Sequence, residues 1–293
     1  MDDFRGGVAL TDTAVSDQEL HAVRWVDASG AHRFVAREGD TAPNGGAFVR
    51  FCTLKASDDW VVFEAETAAG SGLFAWDPVG GLRSLVDQTT PIPGLGTGYL
   101  PPDLTPRSDS PFAVVGRKLA FVQNRIRATS DPLEVRCQGG VFLWEEGSLS
   151  EVASNRDRSP ELDEKLHCFF AVFLGAHDLW FRATTYTVDG GPTVRMPSYG
   201  EMLRRRGTRL ERLLGFRDEA LGESLWEFTP LLLEDRAVFY LGVNSGGRST
   251  IRFGLYAAES FGATPVPTGS DLGVALLVLV LMALGIRRIR GSI

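Results

Sequence analysis

The chain has 293 residues, 44% hydrophobic and 23% charged, which is enough for one large or two ordinary globular domains with a sizeable core. Its formal net charge is −7, and setting aside the three arginines near the C-terminus makes the remainder more acidic still, which argues against nucleic acid as a partner. Three widely spaced cysteines, Cys52, Cys137 and Cys168, include no Cys-x-x-Cys and leave at least one thiol unpaired, so neither a zinc site nor a disulfide framework is expected.

The N-terminus, Met1-Asp2-Asp3-Phe4-Arg5, is acidic, and Val8-Ala9-Leu10 is far too short for the apolar region of a signal peptide. Either translation starts upstream of Met1, or the chain enters a membrane through its C-terminal segment alone with its body in the cytosol. The placement of arginines at the far end favours the first.

From about Val8 to Glu259 a short aromatic and β-branched block recurs at a nearly fixed interval. The copies are Trp60 to Ala65, Leu119 to Asn124, Leu179 to Thr184 and Ala237 to Gly242, and their phenylalanines fall at 63, 121, 181 and 239, spaced by 58, 60 and 58. A polar turn precedes each block (Ser57-Asp58-Asp59, Gly116-Arg117-Lys118, Ala176-His177-Asp178, Glu234-Asp235-Arg236), as a hairpin between two strands requires. After the block, Gly72 to Trp76 and Gly140 to Trp144 alternate alike, and each leads through a Gly-containing turn to a further strand, Leu82 to Val86 or Leu149 to Val152. The third unit is degraded (Gly200 to Leu203, Arg209 to Leu214), the fourth ends after Phe253 to Tyr256 without a last strand, and a shorter fifth copy occupies residues 8 to 38.

Four antiparallel strands per unit, repeated so that neighbours bury each other's faces, predict an all-β fold: a β-propeller-like ring of about five four-stranded repeats. The segment Phe4 to Leu10 is expected to supply the missing last strand and close the ring. An open array or a pair of β-sandwiches carries the same strand signals. Trp76-Asp77 has no preceding Gly-His, which argues against WD40 repeats.

No catalytic residue, metal site or cofactor is nominated. His177 and Asp178 align with the hairpin turns of the other units, and His167 and Cys168, as strand neighbours, point to opposite faces. The acidic stretch Asp157, Glu161, Asp163 and Glu164 lacks the order of a calcium loop and reads as a solvated connection. Arg204, Arg205, Arg206, Arg209 and Arg212 form the body's one basic cluster, a candidate anion patch for an acidic glycan or lipid phosphate. Alternate arginines of a strand would diverge, and Glu201, Glu211 and Asp218 stand near as counter-charges, so an ordinary charged surface is the competing reading.

The last thirty residues read as a membrane address. Residues 272–286 are apolar at every angle, with no polar stripe to lie on a soluble core. At about 1.5 Å per residue the run covers roughly 22 Å, short of the roughly 30 Å hydrocarbon core unless its flanks snorkel. Arg287, Arg288 and Arg290 follow it while Asp271 precedes it, so the C-terminus is expected in the cytoplasm and the body outside. The expected division is a repeat domain at 1–260, a linker at 261–271, a transmembrane helix at 272–286 and a basic cytoplasmic tail at 287–293.

Ala36-Arg37-Glu38-Gly39-Asp40-Thr41-Ala42-Pro43-Asn44-Gly45-Gly46-Ala47-Phe48 resembles the inter-repeat segment of bacterial choice-of-anchor proteins built from tandem NxxGxxAF repeats, and the blocks ending Val62-Phe63 and Ala120-Phe121 look like the repeat itself. The likeness covers most of residues 8–259, although the family's Asn and Gly do not stand at their places in any copy. Val266-Pro267-Thr268-Gly269-Ser270-Asp271-Leu272-Gly273 is similar to the opening of the IPTL or PEP-CTERM class of C-terminal sorting signal, with departures at Gly269 and Leu272. The resemblance implies export to the bacterial cell envelope or surface and at least transient membrane anchoring. It also implies processing by an exosortase-like transpeptidase that recognises Pro267 and Thr268, within a motif of Val266, Ser270, Asp271 and Gly273.

The expected role is a non-enzymatic binding or structural module with a surface glycan or protein as ligand. A glycan-active enzyme with its acid and base in a central funnel, and a cytosolic tail-anchored scaffold, are the alternatives.

Overall fold

The computed structural model describes residues 8–13, 20–27, 29–57, 60–99, 111–128, 135–160, 164–175, 178–186, 200–215, 219–220, 223–233, 236–244 and 251–257. Side chains are described only between residues 21 and 213. Two compact units divide the chain, 1–258 and 259–293, and the second lies outside the described residues, together with the linker, the apolar run 272–286 and Arg287, Arg288 and Arg290. Among the described residues no helix is long and apolar enough to cross a membrane.

Every regular element described is a strand, and almost all hydrogen bonding runs between antiparallel sequence neighbours. The first sheet has seven strands: β1 (Val8–Thr13), β2 (Leu20–Val26), β3 (His32–Arg37), β4 (Phe48–Ser57), β5 (Trp60–Thr67), β6 (Gly70–Asp77) and β7 (Gly81–Asp87). A two-stranded ribbon of β8 (Pro91–Ile92) and β9 (Gly96–Thr97) follows. The second sheet is a four-stranded meander of β10 (Phe112–Val115), β11 (Lys118–Ala128), β12 (Val135–Glu145) and β13 (Ser148–Ser154). The third repeats it with β14 (Lys165–Leu174), β15 (Leu179–Tyr186), β16 (Gly200–Arg206) and β17 (Arg209–Gly215). The fourth has β18 (Glu219–Ala220), β19 (Glu223–Leu233), β20 (Arg236–Asn244) and β21 (Ile251–Ala257).

The four sequence blocks are β5, β11, β15 and β20, and the expected hairpins close in front of each. Their phenylalanines occupy one structural position. Phe63 lies directly opposite Phe74, Phe121 opposite Phe142, Phe181 opposite Leu203 and Phe239 opposite Tyr256. In the first two pairs the ring centroids are 5.9 and 5.5 Å apart, within the range of favourable aromatic contact. Immediately before the partner residue the register to the next strand shifts, between Leu73 and Phe74, Val141 and Phe142, and Met202 and Leu203, leaving Leu85, Val152 and Leu213 as extra residues in β7, β13 and β17 and sharpening the local twist.

The blocks read as unbroken apolar runs because their strands are covered on both faces. Phe63 and Val61 pack with Val23, Trp25 and Ala36 of β2 and β3. The opposite face, Trp60 and Val62, packs with Phe112, Leu119, Phe121 and Phe142 of the second sheet. Ala120, Val122 and Val141 on that sheet's far side pack with Phe169, Phe181 and Leu203 of the third. Phe121 and Phe181 therefore point back into the sheet before their own, whereas Phe63 packs against β2 and β3 of its own sheet.

Three expectations need correction. The short copy at residues 8–38 is not a separate sheet: its strands β1 to β3 join the first sheet through a Leu20 to Phe51 pairing. Val8 to Leu10 do not complete the last sheet but pair with Arg24 to Val26, a partner reached by a short loop at lower closure entropy than one at the far end of the chain. Among the described residues the last sheet ends on β21. Finally, Cys137 of β12 and Cys168 of β14 form a disulfide with their Cα atoms 5.5 Å apart, while Cys52 is free and exposed. Their separation of 31 residues concealed a proximity that arises only when the second and third sheets stack.

Candidate functional site

In a four-stranded meander the first and third turns lie at the same end, so the polar hairpin residues of successive sheets gather there. The β10–β11 turn stands at the centre of this end. Its Gly116 N–H donates to Ser57 Oγ at 2.8 Å, Arg117 approaches Asp77 of the β6–β7 turn at 3.6 Å, and Lys118 pairs with Glu145 at 2.7 Å. One cleft opens on each side of it.

The first cleft, about 290 Å³, lies between the second and third sheets and is lined by Lys118, Ser150, Glu151, Asp178 and Arg205 above the aliphatic Leu143, Val152, Leu174 and Leu179. Its carboxylates are engaged. Arg156 donates to both oxygens of Glu151, at 2.7 and 2.6 Å, and Arg206 grips both oxygens of Asp178, at 2.9 and 2.9 Å. The Asp178 contact raises the Arg206 guanidinium pKa.

The structure thereby divides the expected anion patch. Arg204, Arg206 and Arg209 gather around Asp178 and Glu211: Arg204 Nε donates to Glu211 at 2.9 Å, and Arg209 lies 3.5 Å from the same carboxylate. The hydrogen bond from Arg204 holds the Glu211 carboxyl below its ordinary pKa. Arg212 lies apart, bonded through Nε to buried Glu201 at 3.1 Å. Arg205, on the opposite face of β16, donates through Nε to Gly207 O at 3.0 Å and lines the cleft, and among the described residues no carboxylate lies within ion-pair distance of it. Glu201 and Glu211 are the counter-charges expected, and Asp218 lies outside the described residues.

The second cleft, about 470 Å³, is bounded by Trp25, Asp27, His32 and Arg33 from the β2–β3 hairpin, Trp76 to Val79 from the β6–β7 turn, and Arg117. Trp25 and Trp76 meet at 5.5 Å between centroids, and the Arg33 guanidinium sits 5.3 Å over the Trp76 ring. Asp77 is held at the end of β6: burial would raise its pKa, but hydrogen bonds from Gly80 N–H, Arg83 and Val79 N–H outweigh it and keep the carboxyl below the ordinary value. Asp27 is also lowered, chiefly by the Ser29 hydroxyl and by Ala31 N–H.

Among the described residues two carboxyls have raised pKa values, and both lie in the core away from the clefts. Burial raises Glu64 against the 3.0 Å hydrogen bond it accepts from Tyr99, and burial raises Glu201 against Ser159 and Arg212. The sequence signal for Glu64 was its position as the sole charge in the apolar block from Trp60 to Ala65. Glu201 stands where the first two units carry glycine. A Cβ on Gly72 would lie 2.9 Å from Val86 O and 3.2 Å from the Phe74 ring, and one on Gly140 would lie 2.6 Å from Ala153 O and 3.0 Å from the Phe142 ring. The third unit replaces that ring with Leu203 and places Gly215 opposite Glu201, leaving room for the longer side chain.

The remaining candidates fall into place as structural groups. Glu164 is not solvated but buried, accepting from Thr185 Oγ1 at 2.7 Å, and Asp157 accepts from Ser154 N–H at 2.8 Å. Glu161, Asp163 and His177 lie outside the described residues, as do Val266, Pro267, Thr268, Ser270, Asp271 and Gly273. His167 accepts the Cys137 N–H through Nε2 at 3.3 Å, and its Nδ1 lies 3.5 Å from the disulfide sulfur of Cys168. Among the described residues no group of three or more His, Cys, Asp or Glu is placed to hold a metal.

No family model matches the chain, and no curated protein does. Similar solved structures include S. cerevisiae Dbp5 bound to Nup159, Gle1, IP6 and ADP, at 12% identity over 82% of this chain and 57% of that one, with a TM-score of 0.35. A second is the Bombyx mori GH32 β-fructofuranosidase BmSUC1, at 12% identity over 72% and 46%, with a TM-score of 0.33. A third is the apo form of AtxE2 isopeptidase, at 11% identity over 80% and 45%, with a TM-score of 0.25. The chain spans about half the length of these structures, and such low scores carry no argument about its fold or activity.

Proposed function

We propose that the chain is an exported repeat protein of the bacterial cell surface, a non-enzymatic binding or display module sorted through the C-terminal segment 266–290. The observation that carries this reading is the Cys137–Cys168 disulfide, since such bonds persist in oxidising compartments and are rare in the cytosol. It supports a body outside the membrane, in agreement with the arginines at 287, 288 and 290. The membrane and an exosortase-like enzyme acting near Pro267 and Thr268 are the proposed partners in sorting.

For the body we propose a propeller-like ring. Three observations support it: the four-stranded meanders, the return of one cross-strand pair in every unit, and the face-to-face stacking of consecutive sheets. The engagement of Glu151 and Asp178 by arginines, and the burial of Glu64 and Glu201 away from the clefts, support binding over hydrolysis.

The test is made in intact cells with the full-length chain. Externally added protease is expected to digest the body, mass spectrometry of the mature protein to find a C-terminus shortened near residues 266–273, and non-reducing peptide mapping to recover Cys137 joined to Cys168. A body protected until lysis, with both cysteines free to alkylation, would overturn the reading.

A further inference from the structure

We propose that the two clefts flanking the β10–β11 turn form one binding groove for a carboxylated polysaccharide, a polyuronate chain that places a carboxylate against Arg205 in one cleft and Arg33 in the other. This deepens the surface-module reading and rests on it for its biological setting, but not for its chemistry.

Arg205 and Arg33 have no carboxylate within ion-pair distance among the described residues, although the chain carries more acidic than basic side chains. The guanidinium of Arg33 lies 5.3 Å over the Trp76 ring centroid, within cation–π range. That contact uses no N–H of the group, which keeps its donors for a planar, two-oxygen acceptor such as a carboxylate. Arg205 uses Nε on Gly207 O and keeps its two terminal nitrogens for a ligand. Between them, Arg117 and Lys118 project from one turn, each lining a different cleft and each already ion-paired, with Asp77 and with Glu145, so Arg33 and Arg205 are the cations of the lining that have no carboxylate partner among the described residues.

The lining carboxylates Asp27, Asp77, Glu151 and Asp178 are each held by donors of the protein, yet a carboxylate oxygen can accept more than one hydrogen bond, which suits a ligand that also offers hydroxyl donors. A sugar acid combines one negative charge with several hydroxyls. The volumes of about 290 and 470 Å³ fall just below and in the lower part of the roughly 300–1,000 Å³ of small-ligand sites, which suits one or two sugar units per cleft.

The experiment is affinity electrophoresis and calorimetry of the purified full-length chain in non-ionic detergent with polygalacturonate, its fully methyl-esterified form, and dextran sulfate. Binding to polygalacturonate that weakens with salt is expected, with none to the ester. Arg205→Gln and Arg33→Gln should each weaken it roughly tenfold and the double variant abolish it, while Arg205→Lys recovers part and Arg209→Gln is silent. Equal binding to the ester, tighter binding to dextran sulfate, or unchanged affinity in a double variant with the parent melting curve would each overturn the proposal. Because binding is measured on isolated protein, a body found inside the cell would sink the export reading and leave this one standing.

Discussion

Asn124 and Phe169 belong to neighbouring sheets yet bond as paired strands do: Phe169 N–H donates to Asn124 Oδ1 at 3.1 Å, and Asn124 Nδ2 donates back to the Phe169 carbonyl. Asn155 makes a second such bridge, accepting from Gly139 N–H while donating to the carbonyls of Leu166, at 3.1 Å, and His167. A side-chain amide carries the same donor and acceptor as a peptide group, so these residues satisfy backbone that sheet stacking would otherwise strand.

Asn124→Ala leaves both the N–H and the carbonyl of buried Phe169 without these partners and is expected to cost about 2–3 kcal/mol. Asn124→Asp, which keeps the acceptor and loses the donor, should be no milder. Urea denaturation read by tryptophan fluorescence measures both.

Closing a loop of 31 residues, the Cys137–Cys168 disulfide should contribute roughly 3–4 kcal/mol through the entropy of the unfolded chain. Adding a thiol reductant, or making the Cys137→Ser, Cys168→Ser double variant, is expected to lower the melting temperature by similar amounts. Cys52→Ser should leave both the melt and its response to reductant unchanged, because that thiol is free and exposed.

Glu64 links stability to pH. Its pKa is raised in the folded protein, so folding favours the protonated form; the associated penalty is absent below the unfolded value, near 4.5, and grows as pH rises towards the folded value, above which it is constant. Glu64→Gln keeps an acceptor for Tyr99 and removes the charge, and should be stabilising at pH 7 by about 1.4 kcal/mol for each pH unit separating the two values. Tyr99→Phe, which leaves the buried carboxyl without its donor, is expected to cost about 1.5–3 kcal/mol at pH 7. Thermal melts from pH 4 to 8 test the slope, which should flatten in Glu64→Gln.

The Glu201–Arg212 pair is buried on both sides, so removing Arg212 takes the cationic partner from a buried carboxyl. Arg212→Leu alone should cost about 3–5 kcal/mol, whereas Glu201→Ala with Arg212→Leu is expected to recover most of that loss. The comparison is a double-mutant cycle in urea.

Strand positions were legible wherever burial on two faces forces an apolar run behind a polar hairpin, as at Trp60, Leu119 and Leu179. The spacing of the four phenylalanines carried the repeat, but their partners did not show until the registers were known, because Leu203 and Tyr256 stand where the first two units have phenylalanine. What one strand does to the next sheet was not legible at all. Cys137 with Cys168 and Asn124 with Phe169 are separated in the chain by stretches that carry no pattern pointing from one to the other. The arginine cluster was half legible: alternation foretold that Arg205 and Arg206 would part, whereas Asp178, read as a turn residue, is also the acceptor of Arg206.

The backward orientation of Phe121 and Phe181 means that neither the second nor the third sheet owns a complete interior. A recombinant piece cut at the linker between the first and second sheets would bare the Trp60 and Val62 surface on one fragment and Phe112 and Phe121 on the other, and both should aggregate. Lengthening such an architecture by gene duplication therefore requires the inserted copy to match two unlike neighbours at once, so the number of repeats is harder to change than their loops.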